Sequence, residues 1–426
     1  MFIPSDRRLR RRVSQILTAS GAITFMLAAN PVSAQSLTMS DVLARAMADD
    51  PTTAVSGAQV EAGEAAARQA GVRPLSVIGI DVEDFAGTGP YSPLNRSQTT
   101  AWYERPLERG SKREARIDAA RADIAVTRGR GAVRSLDLIE QVQTAWVEAM
   151  TTEAAIGVAE ERLAIASRLE ADVARRVANA VDPIFARERA RTAVVQAQIT
   201  RDQAHANARI ARTSLAAWWG GTDAYRLDLS PFDRSTATAV SEAGSPDLNV
   251  IAAARDAADA RLRLAEAGNY ANPMARVGVR HFGQGNEVAL VVGGSIPLGA
   301  RAANRGNVDR ARAERQAVEA EIAVARLQRD REINRLTAEQ RAIRTEIDRI
   351  EREVLPGATR TVALIRDGYV RGGTAFTVLE WTTAQTVVTD ARMRRIDLLR
   401  RYHLHGVRLD RLNGRHAPLL ARAEAR

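Results

Sequence analysis

Cysteine is absent from all 426 residues. That excludes disulfides, zinc–thiolate sites and thiol nucleophiles at once. Aromatic residues make up 4% of the chain, too few for a large conventional core but enough for Ala-rich helices packed side by side. Lysine is almost missing: Lys112 is the single one, so the formal charge of +10 is carried by arginine. Beyond the N-terminal segment, no stretch reaches the roughly 18 apolar residues of a transmembrane helix. Motifs for chemistry are also missing. The sequence holds no phosphate-cradling glycine loop, nucleophile elbow or metalloprotease signature. The methionines are scattered and form no thioether cluster for soft metals. The five histidines are His205, His281, His403, His405 and His416. His403 and His405 are two apart on a helical stretch, which puts their rings on different faces. No catalytic residue, cofactor site or metal site is assigned.

What is present begins with export. Arg7, Arg8, Arg10, Arg11 and Arg12 precede an apolar run from Ile16 to Ala29 and the small residues Val32-Ser33-Ala34. This is the pattern of a signal peptide over residues 1–34, with cleavage expected after Ala34. Positive charge spread along long exported helices gives no footing for a nucleic-acid partner.

The remainder is written twice. Asp50-Pro51 answers to Ser245-Pro246, Arg73-Pro74 to Asn272-Pro273, and Arg105-Pro106-Leu107 to Ile296-Pro297-Leu298. Ile117 to Ala122 answers to Val308 to Ala313. The spacing implies a duplicated unit: a first repeat over 35–221, a linker over 222–244, a second repeat over 245–414 and a tail over 415–426. Each repeat opens with a helix, the first capped by Ser40 or Asp41 and running to about Ala70. A strand pair follows, over 75–105 and 274–296. Ile78, Ile80 and Val82 fall on one face, and Gly79, Asp81 and Glu83 on the other. These strands have the length and alternation of membrane β-strands, roughly 9–11 residues. Four strands cannot close a barrel alone, so strands that span a membrane require several chains to share one. Trp102 and Tyr103 are candidates for an interfacial aromatic belt, with ordinary packing as the alternative.

The helices after the strands are very long. Arg113 to about Ala178 would measure roughly 100 Å, and Arg301 to about Arg371 would be similar, with a bend expected at Pro356-Gly357. Ile333, Leu336, Gln340, Ile343, Ile347, Ile350 and Val354 form a coiled-coil seam, and Ile156 to Val177 carries a second one. The interleaved Arg and Glu read as a solvated face. Each rod ends in a tip, Val177 to Pro183 and Tyr369 to Ala375, and returns as far as Gly221 or Gly414. Asn179 and the glycines suit the positive φ at a helix C-terminus. Asp182 and Thr374 can cap the returning helices, and Pro183 suits a first turn.

Four segments carry a family resemblance. They are Gln69 to Pro74, Val82 to Gly89, Glu104 to Arg113 with its P-L-E-x-G-x-K-R pattern, and Gly368 to Gly373. Over residues 36–414 the chain resembles the TolC-like outer-membrane efflux proteins, most of all their heavy-metal (CzcC/CusC-type) branch. It departs from them at Asn179, a place often held by Gly, and in lacking a lipid-acceptor cysteine. The resemblance implies an α+β membrane protein in the outer membrane. Three chains would share a twelve-stranded β-barrel, four strands from each, in contact with outer-membrane lipid. A coiled-coil tunnel would continue it into the periplasm. It implies a periplasmic adaptor at the tips and an inner-membrane resistance-nodulation-division pump behind it. The candidate adaptor contacts are Val177, Asn179, Asp182, Tyr369, Gly372, Gly373 and Thr374. Within the same family, drug efflux and type I protein secretion are the alternatives. In a different class stands a periplasmic adaptor or coiled-coil scaffold, against which the two strand pairs speak.

Overall fold

The computed structural model describes residues 36–48, 50–91, 94, 96–235, 245–371 and 377–419. The signal segment, the end of the expected linker and the last residues of the tail lie outside them. The first part of the chain runs β1 (Ser36–Leu37), α1 (Met39–Ala48), α2 (Pro51–Ala70), β2 (Val77–Glu83), β3 (Gln98–Pro106), α3 (Lys112–Ala178), α4 (Ile184–Ala216) and β4 (Arg226–Leu227). The second part runs α5 (Pro246–Ala267), β5 (Met274–Phe282), β6 (Glu287–Ser295), α6 (Ala300–Arg349), α7 (Leu355–Val370) and α8 (Val378–Leu412). Helix, two strands, long helix and returning helix thus occur in the same order in both parts.

The opening helix is two helices, a correction to the single one expected. Thr38 and Asp41 exchange bonds as a cap for α1, with Asp41 N–H donating to Thr38 Oγ1 and Thr38 N–H to Asp41 Oδ2. Asp41 therefore sits inside the first turn. α2 begins anew because Asp50 precedes a proline, which disfavours helical ψ. Asp50 is extended (φ −74°, ψ 115°) and accepts from Thr52 N–H at 2.9 Å, with Pro51 opening the helix.

One antiparallel sheet has the order β2-β3-β5-β6, so the two hairpins are joined through β3 and β5. The register puts Ile80 beside Ala101, Ala101 beside Val279 and Val279 beside Leu290. Alternation then carries Ile78, Val82, Tyr103, Val277, Val288 and Val292 to the same face. Asp81, Glu83, Gln98, Thr100, Trp102, Glu104, Arg276 and Arg280 take the other. The apolar face is bare: Ile78 is 79% and Leu290 72% exposed.

α3 has 67 residues, roughly 100 Å of helix at about 1.5 Å per residue. The seam on α6 buries Leu336, Gln340, Ile343 and Ile347, and Ile350 just beyond it is buried as well. Gln340 Nε2 donates to Tyr402 C=O at 3.0 Å, which satisfies the one amide in that stripe. Pro356 does not end the rod. Residues Ile350–Val354 form a π segment, with Leu355 N–H reaching Ile350 C=O. The wider turn relieves the clash a proline ring makes with the carbonyl four residues before it.

The main core lies midway along the rods. It gathers Leu136, Ile139, Val142, Trp146 and Val147 of α3, Leu398, Leu399 and Tyr402 of α8, Val42 of α1 and Phe232. Phe232 comes from the expected linker, whose described part is packed. β4 pairs in parallel with β1 (Ser36 with Arg226, Leu37 with Leu227). Arg411 ties α8 to α3 and α5 through Asp137 and Asp247. Among the described residues no helix is long and apolar enough to cross a membrane, which says nothing of the sheet.

Candidate functional site

The first tip is a helix stop followed at once by a start. Val181 N–H bonds back to Arg176 C=O at 2.9 Å, and Ala180 N–H to Val177 C=O at 3.0 Å. That pair is a Schellman motif, whose left-handed position is the residue after the cap. The cap is Asn179, with φ −89°; the left-handed residue is Ala180, with φ 53°. The expectation that Asn179 takes the positive φ is corrected by one position.

Asp182 is corrected too. The residue preceding α4 is Pro183, and no side chain caps that helix. The Asp182 carboxylate instead turns back along α3. It receives Arg176 Nε at 3.0 Å and Arg176 Nη2 at 3.1 Å, a two-pronged pairing that fixes orientation as well as charge. It also accepts the hydroxyl of Tyr369, from the end of α7. Arg176 Nη1 donates to the Tyr369 carbonyl at 2.7 Å, and its guanidinium lies 4.2 Å from the Tyr369 ring centre. Arg176 and Asp182 are both largely buried.

The electrostatics follow. Hydrogen bonding from Arg176, then from Tyr369, holds the Asp182 carboxyl below the usual carboxylate range, against the opposing effect of burial. Asp182 in turn raises the Arg176 guanidinium. Burial first, then the Asp182 carboxylate, pushes the Tyr369 phenol up. Beneath this triangle is a small apolar cluster of Leu169, Val173, Ala186, Ala190, Tyr369 and Trp381. The Tyr369 and Trp381 rings meet at 5.4 Å. Val177 packs against the cluster from its edge. The arrangement ties the end of one helical hairpin to the end of the other.

Of the expected tip residues, the structure brings Asp182 and Tyr369 into direct contact, with Val177 beside them and Asn179 as the cap. Gly372, Gly373 and Thr374 lie outside the described residues. The cap of α8 is Thr377, in a reciprocal box with Glu380. The histidines of α8 serve packing: His403 Nε2 donates to the Phe232 carbonyl at 2.8 Å and its ring stacks on Phe232, while His405 faces Glu339. His281 bonds Asn286 at 2.7 Å.

The second feature with functional geometry is the polar face of the sheet. Arg276 reaches Glu104 at 3.0 Å and stacks 3.9 Å over the Trp102 ring. Arg280 binds Glu83 at 2.9 Å, Gln98 at 2.9 Å and Thr100 at 2.8 Å. Trp102 lies on this charged face and Tyr103 on the apolar one, so the two do not form one belt.

No protein-family model matches the chain. It is 24% identical over 389 residues to the cobalt-zinc-cadmium resistance protein CzcC of Cupriavidus metallidurans, which covers 89% of this chain and 90% of that protein. It is 27% identical over 338 residues to the nickel-cobalt-cadmium resistance protein NccC of Alcaligenes xylosoxydans xylosoxydans, covering 77% and 76%. The outer membrane protein VceC of Vibrio cholerae superposes with a TM-score of 0.69 at 18% identity, covering 88% of this chain and 96% of that one. The fold is that of the TolC-like outer-membrane channels. In sequence the chain is similar to two metal-resistance proteins, CzcC and NccC.

In a TolC-like fold the triangle of Arg176, Asp182 and Tyr369 sits at the free end of the helical rods. Sequence reasoning missed two of its supports, Arg176 and Trp381. A signal for each was available. Arg176 stands six residues before an aspartate across a tight turn, within reach of a folded-back carboxylate. Trp381 is one of five tryptophans and falls in the first turn of the returning helix, opposite the tyrosine of the other arm.

Proposed function

We propose that this chain is the outer-membrane channel subunit of a tripartite efflux system, exporting heavy-metal cations. The observation that carries the reading is the four-stranded sheet with one face bare and apolar and the other charged, set above two long helical hairpins. An exposed apolar sheet face of this size in water would be an aggregation hazard; against lipid it is stabilising. The sheet has two free edges, so β2 and β6 must pair with neighbouring chains. Three copies close a barrel of twelve strands, and the duplicated order of elements gives the homotrimer its pseudo-sixfold wall.

The barrel sits in the outer membrane, and the rods extend through the periplasm. Their tips, from Val177 to Pro183 and Tyr369 to Ala375, meet a periplasmic adaptor, which joins the channel to an inner-membrane resistance-nodulation-division pump. Val177, Asn179, Asp182, Tyr369, Gly372, Gly373 and Thr374 are the proposed contacts. The subunit works as a passive conduit. Its α8 histidines are engaged by Phe232 and Glu339, and among the described residues no group of three or more His, Asp or Glu could hold a metal. Metal cargo is supported by the similarity to CzcC and NccC; drugs and secreted proteins are the competing cargoes.

Deleting the gene, then restoring it, tests the cargo. Loss of tolerance to cobalt, zinc, cadmium or nickel with unchanged tolerance to dyes and antibiotics is expected. The reverse pattern overturns the metal reading. Crosslinking from Asn179→Cys and Thr374→Cys tests the orientation. Both should capture an adaptor; capture from strand positions instead would invert the assembly.

A further inference from the structure

Three segments meet where the sheet passes into the rods. Residues 71–75 lead into β2, residues 105–114 lead from β3 into α3, and residues 270–274 lead into β5. Hydrogen bonds lock them together. Leu107 N–H donates to the Pro273 carbonyl at 2.7 Å. Arg113 Nε donates to the Gly71 carbonyl at 2.6 Å, and Lys112 Nζ to Asn272 Oδ1 at 2.8 Å. Gly110 turns the chain with φ +74° against the Tyr270 ring, where a Cβ would collide with it.

This bend concentrates positive charge that the chain does not neutralise. Among the described residues Arg73, Arg105, Arg109, Lys112 and Arg113 make no ion pair, because Glu108 is taken by Arg116, and Glu104, on the charged face, by Arg276. Glu114 is the one carboxylate left in the three segments. Lys112 and Arg113 spend their hydrogen bonds on neutral oxygens, so their charge stays uncompensated. The other end of the strands is balanced. There Glu83, Asp84 and Glu287 stand with Arg96 and Arg280, and Arg280 meets Glu83 at 2.9 Å.

The apolar face runs into the bend. Arg105 pairs with Ala275 and follows Tyr103 by two residues, so it leaves the sheet on the same face as Tyr103 and Ile78. The Tyr103 hydroxyl donates to Ser76 Oγ at 2.7 Å. Leu75 is 81% and Tyr270 58% exposed. Tyrosine and arginine at the rim of an apolar wall are side chains that anchor at the level of lipid headgroups.

We propose that this bend is a binding site for an anionic glycerophospholipid of the periplasmic leaflet. Arg105 and Arg109 take its phosphate, Arg73 and Arg113 supply the surrounding field, and the acyl chains lie along Leu75, Ile78 and Tyr103. The charge excess selects an anionic headgroup over a zwitterionic one. The site rests on the reading of the sheet as an outer-membrane barrel.

The test uses the full-length oligomer reconstituted into phosphatidylcholine bilayers containing phosphatidylglycerol, with one lipid or the other brominated. A fluorophore on Ile78→Cys reports the half of the lipid face next to the bend. One on Val288→Cys, which pairs with His281, reports the far half. Both side chains are exposed. Brominated phosphatidylglycerol should quench the first label in preference to brominated phosphatidylcholine, and the second label without preference. Arg105→Gln and Arg109→Gln should each lower the preference about fivefold. Arg105→Lys should keep it, and Arg96→Gln, at the other end of the strands, should leave it unchanged. Arg109→Gln alone decides the matter if Arg105→Gln assembles poorly. Equal quenching of the first label by both lipids, or a preference that survives loss of both arginines, overturns the site and leaves the barrel standing. Quenching of neither label by either lipid overturns the barrel reading itself, and the site with it.

Discussion

The carboxylate of Asp182 accepts the phenolic proton of Tyr369, 187 positions further along the chain. The first residue ends one helical hairpin and the second ends the outgoing arm of the other. A single hydrogen bond, reinforced by Arg176, thus spans the two parts of the chain at their free ends.

Tyr369→Phe keeps the ring that packs on Trp381 and removes that bond. A hydrogen bond to a charged group contributes about 1.5–3 kcal/mol, so the open population should rise roughly tenfold to a hundredfold. Conductance of the purified channel in planar bilayers reads this directly. Wild-type conductance in a correctly assembled Tyr369→Phe oligomer would show that the triangle does not hold the tips closed.

The same triangle sets a pH window. Asp182 is depressed in the folded state, so its stabilisation is full above the unfolded carboxylate value of about 4 and is lost as pH falls through the folded one. Tyr369 is raised, so its contribution is full below about 10 and declines as pH climbs beyond. The closed state should therefore be level across neutral pH and should weaken on acidification below about 4. In Asp182→Asn the acid limb should vanish. A conductance step near pH 6 to 7 in the wild type would assign control to another group.

Much of the fold was legible because its periods are long and regular. Ile78, Ile80 and Val82 alternate against Asp81 and Glu83 over a whole strand, and the α6 seam repeats from Leu336 to Ile350. The shared order of elements was legible through paired prolines. What local sequence did not reveal depends on where chains meet. Arg176 reads as one more solvated arginine until Asp182 folds back onto it. Phe232 sat in a stretch that looked like a linker, because a lone aromatic among polar residues gives no period. Asn179 seemed the natural left-handed residue, yet the Schellman geometry places that conformation at Ala180, one position later. The π segment was visible only as Pro356, which marks a disturbance without saying how the backbone absorbs it.

Trp102 lies flat against the sheet because the strands on either side present Gly79 and Gly278 to it. A Cβ at Gly79 would fall inside the indole ring. Gly79→Val should therefore displace Trp102 and the Arg276 stacked on it, lowering the yield of assembled oligomer. Trp102→Ala added to Gly79→Val should recover part of that yield, since the cavity accepts the new methyls. Semi-native electrophoresis of membrane extracts measures both. Losses that simply add in the double variant would mean that the glycine serves something other than the indole.

The central claim is that the bare face of the sheet meets lipid and the charged face meets water. A chain without cysteine permits single introduced thiols to be read without background. In intact outer-membrane vesicles, cysteines at Asp81 and Glu83, both about half exposed, should react with a membrane-impermeant maleimide. Cysteines at Ile80, Val279 and Leu290 should resist it, and a fluorophore placed there should be quenched by nitroxide-bearing lipid. Reactivity that alternates residue by residue along each strand is the predicted result; uniform reactivity on both faces, with no lipid quenching, would contradict it.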